Sequence, residues 1–195
     1  MAYDESFYKL YSNYLEEKIV RRNHDLVFKY FQNFAQNSDF SVIDLGCGLG
    51  EYSAYGHYVF YAGVDLNSAG RVNNFIKADY HDLKFIQDLS FKPRIFVSLF
   101  SIECCHSVKD KYAFYEKIFA EIPSIEFGLV SGFFYESKRQ LETVGETGDI
   151  VSHQTIEDPS VHISNLFSEL RIYLKTPSKM FSEDVIEVWK ILSRY

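Results

Sequence analysis

Apolar positions along the chain switch between helical and strand spacing, and the switches lay out the elements. Residues 5–36 carry apolar groups at helical spacing in two stripes: Phe7, Leu10, Tyr11, Tyr14, Leu15 and Ile19, then Leu26, Val27, Tyr30, Phe31 and Phe34. The polar run Arg21-Arg22-Asn23-His24-Asp25 lies between them, with Asn23 a candidate cap, so the pattern predicts two helices. Short apolar runs follow, each ending near an acid or a turn: Val42, Ile43 and Leu45; Val59, Tyr61, Gly63 and Val64; Phe75, Ile76 and Ala78. Arg94–Cys105 and Glu126–Phe134 supply the fourth and fifth strands.

Helical patterns are predicted near Asp82–Leu89, over Lys109–Glu121 before Pro123, and over Val161–Lys175 before Pro177. Glu142–Asp158 reads as extended, with turns at Gly145–Asp149. The closing VIEVWKILSRY is rich in β-branched and aromatic residues and fits a last strand or a helix equally. Alternating strands and helices predict an α/β, mostly parallel sheet covered on both faces. No repeat or linker divides the 195 residues, so residues 1–195 are expected to form one domain. Residues 1–37 then make an N-terminal helical cap and residues 38–195 the core.

Chemistry enters at VIDLGCGLGEY, Val42–Tyr52. A buried strand ends in Asp44 and runs into Gly46, Gly48 and Gly50, whose missing Cβ atoms allow a tight turn and close approach of a ligand. A polar segment then opens a helix, whose N-terminal amides suit an anion. Asp44 either caps the turn or meets a cation; ammonium and carboxylate together describe an amino acid. A pyrophosphate fingerprint is excluded, because its third glycine would fall at Glu51. Asp65 lies about 20 residues past the glycines, where an acid accepts from ribose hydroxyls.

With these residues the chain resembles the class I S-adenosylmethionine-dependent methyltransferases, roughly over residues 40–135. The resemblance implies a doubly wound seven-stranded sheet of order 3-2-1-4-5-7-6, the last strand antiparallel, with S-adenosylmethionine as cofactor and S-adenosylhomocysteine as product. It implies a cofactor site of Asp44, Gly46, Cys47, Gly48, Gly50, Asp65 and Leu66, with Asp79 on the adenine amine and Tyr80 beside the ring. Asp79 also reads as a cap for the helix that follows. Ser98, Leu99 and Phe100 fall where the family runs past the adenosine and the sulfonium. An N-terminal helix often closes over the cofactor, which nominates Tyr8, Tyr11, Tyr14, Arg21 and Arg22.

The transfer end reads Ser101-Ile102-Glu103-Cys104-Cys105-His106, where many small-molecule members carry paired histidines. Glu103 and His106 are the candidate catalytic groups, as base or as hydrogen-bond partners of an acceptor, and the cysteines are small packers. Phe133, Phe134 and Tyr135 line an acceptor pocket or belong to the core. No Asp/Asn-Pro-Pro-Tyr/Phe segment and no Pro-Cys pair occurs, which disfavours base methylation of those patterns.

Composition narrows the partners. Net charge is −7 and no basic stripe appears, so a large nucleic-acid surface is not expected and a small-molecule acceptor is. RNA or protein methylation, and a non-catalytic cofactor-binding module, are the alternatives. Fifteen Tyr and eighteen Phe supply core and pocket walls alike. Three cysteines without metal spacing imply neither a disulfide framework nor a metal site, and suit a cytoplasmic setting. No apolar run reaches membrane-span length.

Overall fold

The computed structural model describes residues 12–36, 40–55, 58–66, 72–104, 110–134, 164–177 and 184–195. The strands are β1 Ser41–Leu45, β2 Phe60–Asp65, β3 Phe75–Lys77, β4 Ile95–Leu99, β5 Phe127–Phe134, β6 Phe167–Pro177 and β7 Asp184–Arg194. They form one seven-stranded sheet in the order β3-β2-β1-β4-β5-β7-β6, as the resemblance implies. β1 to β5 run parallel, and β7 is antiparallel to both of its neighbours. Strand order reverses between β1 and β4, which opens a crevice at their carboxyl ends.

Both faces of the sheet are covered. β1 and β4 are buried at every position, which explains their uninterrupted apolar reading. Alternate residues serve opposite layers. Val42, Val97, Leu129 and Trp189 pack with helix α1, Lys18–Phe34. Ile43, Phe96, Val130 and Leu192 pack with helix α2, Lys111–Glu121. α2 starts on Asp110, whose side chain accepts from Ala113 N at 2.9 Å.

Four expectations change. The polar run at 21–25 does not separate two helices: α1 continues through it, and the break falls at Glu17 after a helical segment at 12–16. The buried stripe of α1 is Val20, His24, Val27, Phe28 and Phe31, whereas Leu26, Tyr30 and Phe34 are exposed. His24 hides the stripe because an imidazole reads as polar. The glycine turn opens a four-residue 3₁₀ turn, Glu51–Ala54, where a helix is expected, and 3₁₀ turns at Tyr80–Asp82 and Lys84–Asp88 replace the helix expected near Asp82–Leu89.

The fourth change is β6, which stands where a helix over 161–175 is expected. Leu166, Leu170 and Leu174 suggest a helical face, yet Leu170, Ile172 and Leu174 also alternate. Pairing with β7 along the whole length, from Phe167↔Arg194 to Pro177↔Asp184, decides for the strand. Its edge carries Glu169, Arg171 and Lys175, charges that deter pairing with another chain. The open reading of the last segment resolves as β7. The extended reading at Glu142–Asp158 lies outside the described residues.

Among the described side chains, β7 carries two buried charged ones, one toward each layer. On the α1 side, fully buried Glu187 accepts from the Tyr14 hydroxyl and from Trp189 Nε1 at 2.8 Å, and its Oε2 lies 2.9 Å from His24 Nε2. His24 Nδ1 is buried with no hydrogen-bond partner among the described residues. On the α2 side, Lys190 Nζ donates to Glu103 at 2.8 Å and lies 5.1 Å from the Tyr112 ring centre. Tyr115 OH also donates to Glu103, and Lys111 donates to its backbone carbonyl. Burial pushes the Glu103 carboxyl up in pKa, but Lys190 and Lys111 outweigh it and hold the group below its ordinary value.

Removing one partner of such a pair strands the others in the core. Glu187→Ala should lower unfolding stability by about 3–5 kcal/mol in urea titrations at neutral pH. A loss under about 1 kcal/mol, the size of an exposed pair, contradicts the network. Glu103→Gln should be destabilising on the same scale of about 3–5 kcal/mol at pH 7. Because the Glu103 pKa is depressed in the folded protein, its contribution is complete above the unfolded value of about 4.3 and lost as pH falls through the folded value. The gap between wild type and Glu103→Gln should therefore close in acid, and a gap that widens there contradicts the assignment.

Candidate functional site

The crevice between β1 and β4 is built around the turn that leaves β1. Gly46, Gly48 and Gly50 take φ of 75°, 54° and 76°, the left-handed region that only glycine enters freely. Gly46 N and Cys47 N both donate to the Val64 carbonyl, at 2.8 and 3.2 Å, which ties the turn to the end of β2. Gly50 N donates to Cys47 O at 2.8 Å and closes the loop. A Cβ on Gly46 would lie 1.9 Å from Ser101 Oγ, and one on Gly50 would lie 2.0 Å from Val72 Cγ2. Gly46 and Gly50 are thus required by their protein neighbours, independently of any ligand. Cys47 is buried, with its Sγ facing Gly63.

The strand-end acids surround this turn. Asp44 is 1% exposed and accepts from the Tyr61 hydroxyl. Asp65 Oδ2 accepts from Gly48 N at 3.0 Å, so it orders the turn, and Leu66 beside it is 45% exposed. Asp79 caps the Tyr80–Asp82 turn through His81 N at 2.9 Å and contacts the His81 ring at 2.5 Å, both at Oδ1. Partial burial raises its pKa, but the two His81 hydrogen bonds prevail and leave the carboxyl below its ordinary value. Asp79 therefore caps a short 3₁₀ turn rather than the helix expected near Asp82–Leu89, and its side chain stays half exposed. Tyr80 is buried, its hydroxyl 3.0 Å from Ser101 Oγ and its ring stacked on His81 at 4.5 Å.

At the carboxyl end of β4 the chain turns inward. Ser98 is fully buried, donating to Leu45 O at 2.8 Å and accepting from Ile102 N at 3.1 Å. Leu99 packs in the α1-side core. Phe100 has φ 55°, unusual for a bulky residue and worth about 1–2 kcal/mol of strain. Its N–H donates to Ser131 O at 3.0 Å, and its ring sits 4.4 Å from Phe133. Ser98, Leu99 and Phe100 thus brace the end of β4 from inside.

Glu103 is not on an exposed loop. It lies in the 3₁₀ turn Ile102–Cys104, packed against β5 so closely that a Cβ on Gly132 would come 2.7 Å from Glu103 Cβ. The carboxylate is 3% exposed and paired with Lys190, which ties the turn to β7. Cys105, His106 and Tyr135 lie outside the described residues. Phe133 belongs to the core. Of the covering candidates, Tyr14 is fully buried on Glu187, and Arg21 and Arg22 are exposed; Tyr8 and Tyr11 lie outside the described residues.

Sequence reasoning missed Tyr61 on Asp44, Lys190 on Glu103, and His24 with Glu187. A signal existed for the last: His24 stands four residues after Val20 and three before Val27, on the buried face. Among the described residues, no group of three or more His, Cys, Asp or Glu side chains is placed to hold a metal. None of the described helices is long and apolar enough to cross a membrane.

No family model matches the chain, and no curated protein matches its sequence. Solved structures do. An S-adenosylmethionine-dependent methyltransferase from Archaeoglobus fulgidus superposes with TM-score 0.65 at 13% identity, over 98% of this chain and 100% of that one. Magnesium protoporphyrin IX methyltransferase from Synechocystis, with S-adenosylhomocysteine bound, gives 0.60 at 15%, over 98% and 95%. The small RNA methyltransferase HEN1 gives 0.56 at 16%, over 88% of this chain and 26% of its own length. Strand order, the antiparallel β7 and these superpositions agree: the chain has the class I S-adenosylmethionine-dependent methyltransferase fold.

Proposed function

We propose that the protein is an S-adenosylmethionine-dependent methyltransferase acting on a small or medium-sized acceptor. The observation that carries the reading is the turn of three left-handed glycines at the strand-order reversal, flanked by Asp44, Asp65 and Asp79 at successive strand ends. The donor set suits that cofactor better than a dinucleotide. Asp44 offers negative charge beside the turn for an ammonium, and Glu51 stands where a pyrophosphate fingerprint needs glycine. Asp65, steadied by Gly48 N, would take the ribose hydroxyls. Exposed Leu66 and half-exposed Asp79 would meet the two faces of adenine recognition, apolar and polar.

When bound, the cofactor supplies a methyl group already activated on a positive sulfur. The protein's part is to seat it, hold a nucleophile in line and exclude water. A base is needed only for an acceptor that starts protonated. Since Glu103 is engaged with Lys190, His106 remains the candidate base in this reading. The net charge of −7 supports a small acceptor over RNA, and three cysteines without a disulfide framework or metal spacing support a cytoplasmic setting.

Calorimetry should show saturable S-adenosylhomocysteine binding and far weaker NAD binding; the reverse order overturns the cofactor reading. Labelled S-adenosylmethionine offered with metabolite, RNA and protein extracts should label the metabolite fraction, and labelling confined to RNA or protein overturns the acceptor class. Binding with no labelled product in any extract favours a regulatory module. Asp65→Ala should weaken S-adenosylhomocysteine binding by about 1.5–3 kcal/mol and, through the lost Gly48 bond, lower stability by about 1 kcal/mol. Unchanged affinity in a folded variant removes Asp65 from the site.

A further inference from the structure

Asp44 is aimed by a side chain that no strand-end motif includes. β1 and β2 pair in parallel with Val42 opposite Tyr61 and Asp44 opposite Gly63. Tyr61 is therefore the diagonal neighbour of Asp44, within reach of a long aromatic side chain, and its hydroxyl donates to Asp44 Oδ2. The phenol is itself seated. Its ring lies 5.3 Å from Tyr58, whose hydroxyl donates at 3.3 Å to the carbonyl of Tyr52, just beyond the glycine turn. Asn74 Nδ2 donates to the Tyr61 carbonyl at 3.1 Å. Burial first, and then the charge of Asp44, push the ionisation of Tyr61 far above its ordinary range, so it stays a proton donor at any working pH.

A phenol gives a carboxylate direction without a countercharge. The contrast lies in the same molecule, where Glu103 meets Lys190 at 2.8 Å. Fixing one oxygen of Asp44 by a neutral donor sets the plane of the carboxylate and itself adds no countercharge. We propose that Tyr61 is a positioning residue that holds Asp44 toward the amino-acid end of the cofactor, making the pocket selective for ligands that carry the α-ammonium. The proposal rests on the cofactor reading given above.

The test compares two probes by calorimetry: S-adenosylhomocysteine, which has the amino-acid tail, and 5′-methylthioadenosine, which lacks it. Tyr61→Phe keeps the ring and removes only the hydroxyl. It should raise the dissociation constant for S-adenosylhomocysteine about tenfold, the scale of one lost hydrogen bond to a charged group, and leave that for 5′-methylthioadenosine within about twofold. In an Asp44→Asn background, adding Tyr61→Phe should cause no further loss for S-adenosylhomocysteine, because the two residues act as one unit. Equal weakening of both probes by Tyr61→Phe overturns the proposal, since the phenol would then support the pocket as a whole. Unchanged affinity for both overturns it as well. Wild-type protein that binds neither probe overturns the cofactor reading, and the proposal with it.

Discussion

Everything at the carboxyl edge of this sheet depends on how closely the turn after β1 approaches its neighbours. Two consecutive amides, Gly46 N and Cys47 N, converge on the Val64 carbonyl, and Gly48 N meets Asp65. On the other side, Gly46 leaves no room for a side chain beside Ser101. Only a backbone with positive φ at alternate residues can make these contacts together. The result is a turn braced against the end of β2 and the segment after β4, with Asp44 and Asp65 on the strands beside it. A cofactor pocket that must be formed before ligand arrives benefits from this, because ordering the loop on binding would weaken affinity.

The rest of the sheet supports that edge through buried charge. β7 alternates its faces, so Glu187 and Lys190 point to opposite layers and each draws an element inward. Lys190 pins the turn that follows β4 by way of Glu103. Glu187 gathers Tyr14, His24 and Trp189, and His24 lies within ring-stacking distance of Tyr52 in the glycine segment and of Phe100 at the end of β4. The antiparallel last strand therefore does more than close the sheet. It links the N-terminal helical layer to the two segments that wall the crevice.

Much of this was legible in the chain, and the failures have physical causes. β1 and β4 announce themselves because strands buried on both faces must be apolar throughout. The glycine turn is legible because its backbone admits few other residues. β6 misled because an edge strand is only half buried, so its alternation is diluted by charges and its leucines also fit a helical period. The break in the N-terminal helices was misplaced for a related reason. The polar residue His24 is buried, and its partner Glu187 lies 163 positions away, where no local pattern reaches. Glu103 has the same character: composition and neighbours suggest a reactive loop acid, while its function in the fold is set by Lys190, 87 positions away. Tyr61 was read as a strand residue, because nothing in one sequence reports which diagonal neighbour its hydroxyl meets.

The most direct measurement is a crystal structure of the protein grown with S-adenosylhomocysteine. The expected result is the ligand in the crevice, with its amino-acid end at the Gly46–Gly50 turn, its ammonium facing Asp44 and its ribose at Asp65. Electron density for the ligand away from this turn, or an empty turn in crystals where the ligand is present in saturating amount, would contradict the cofactor site and the function built on it.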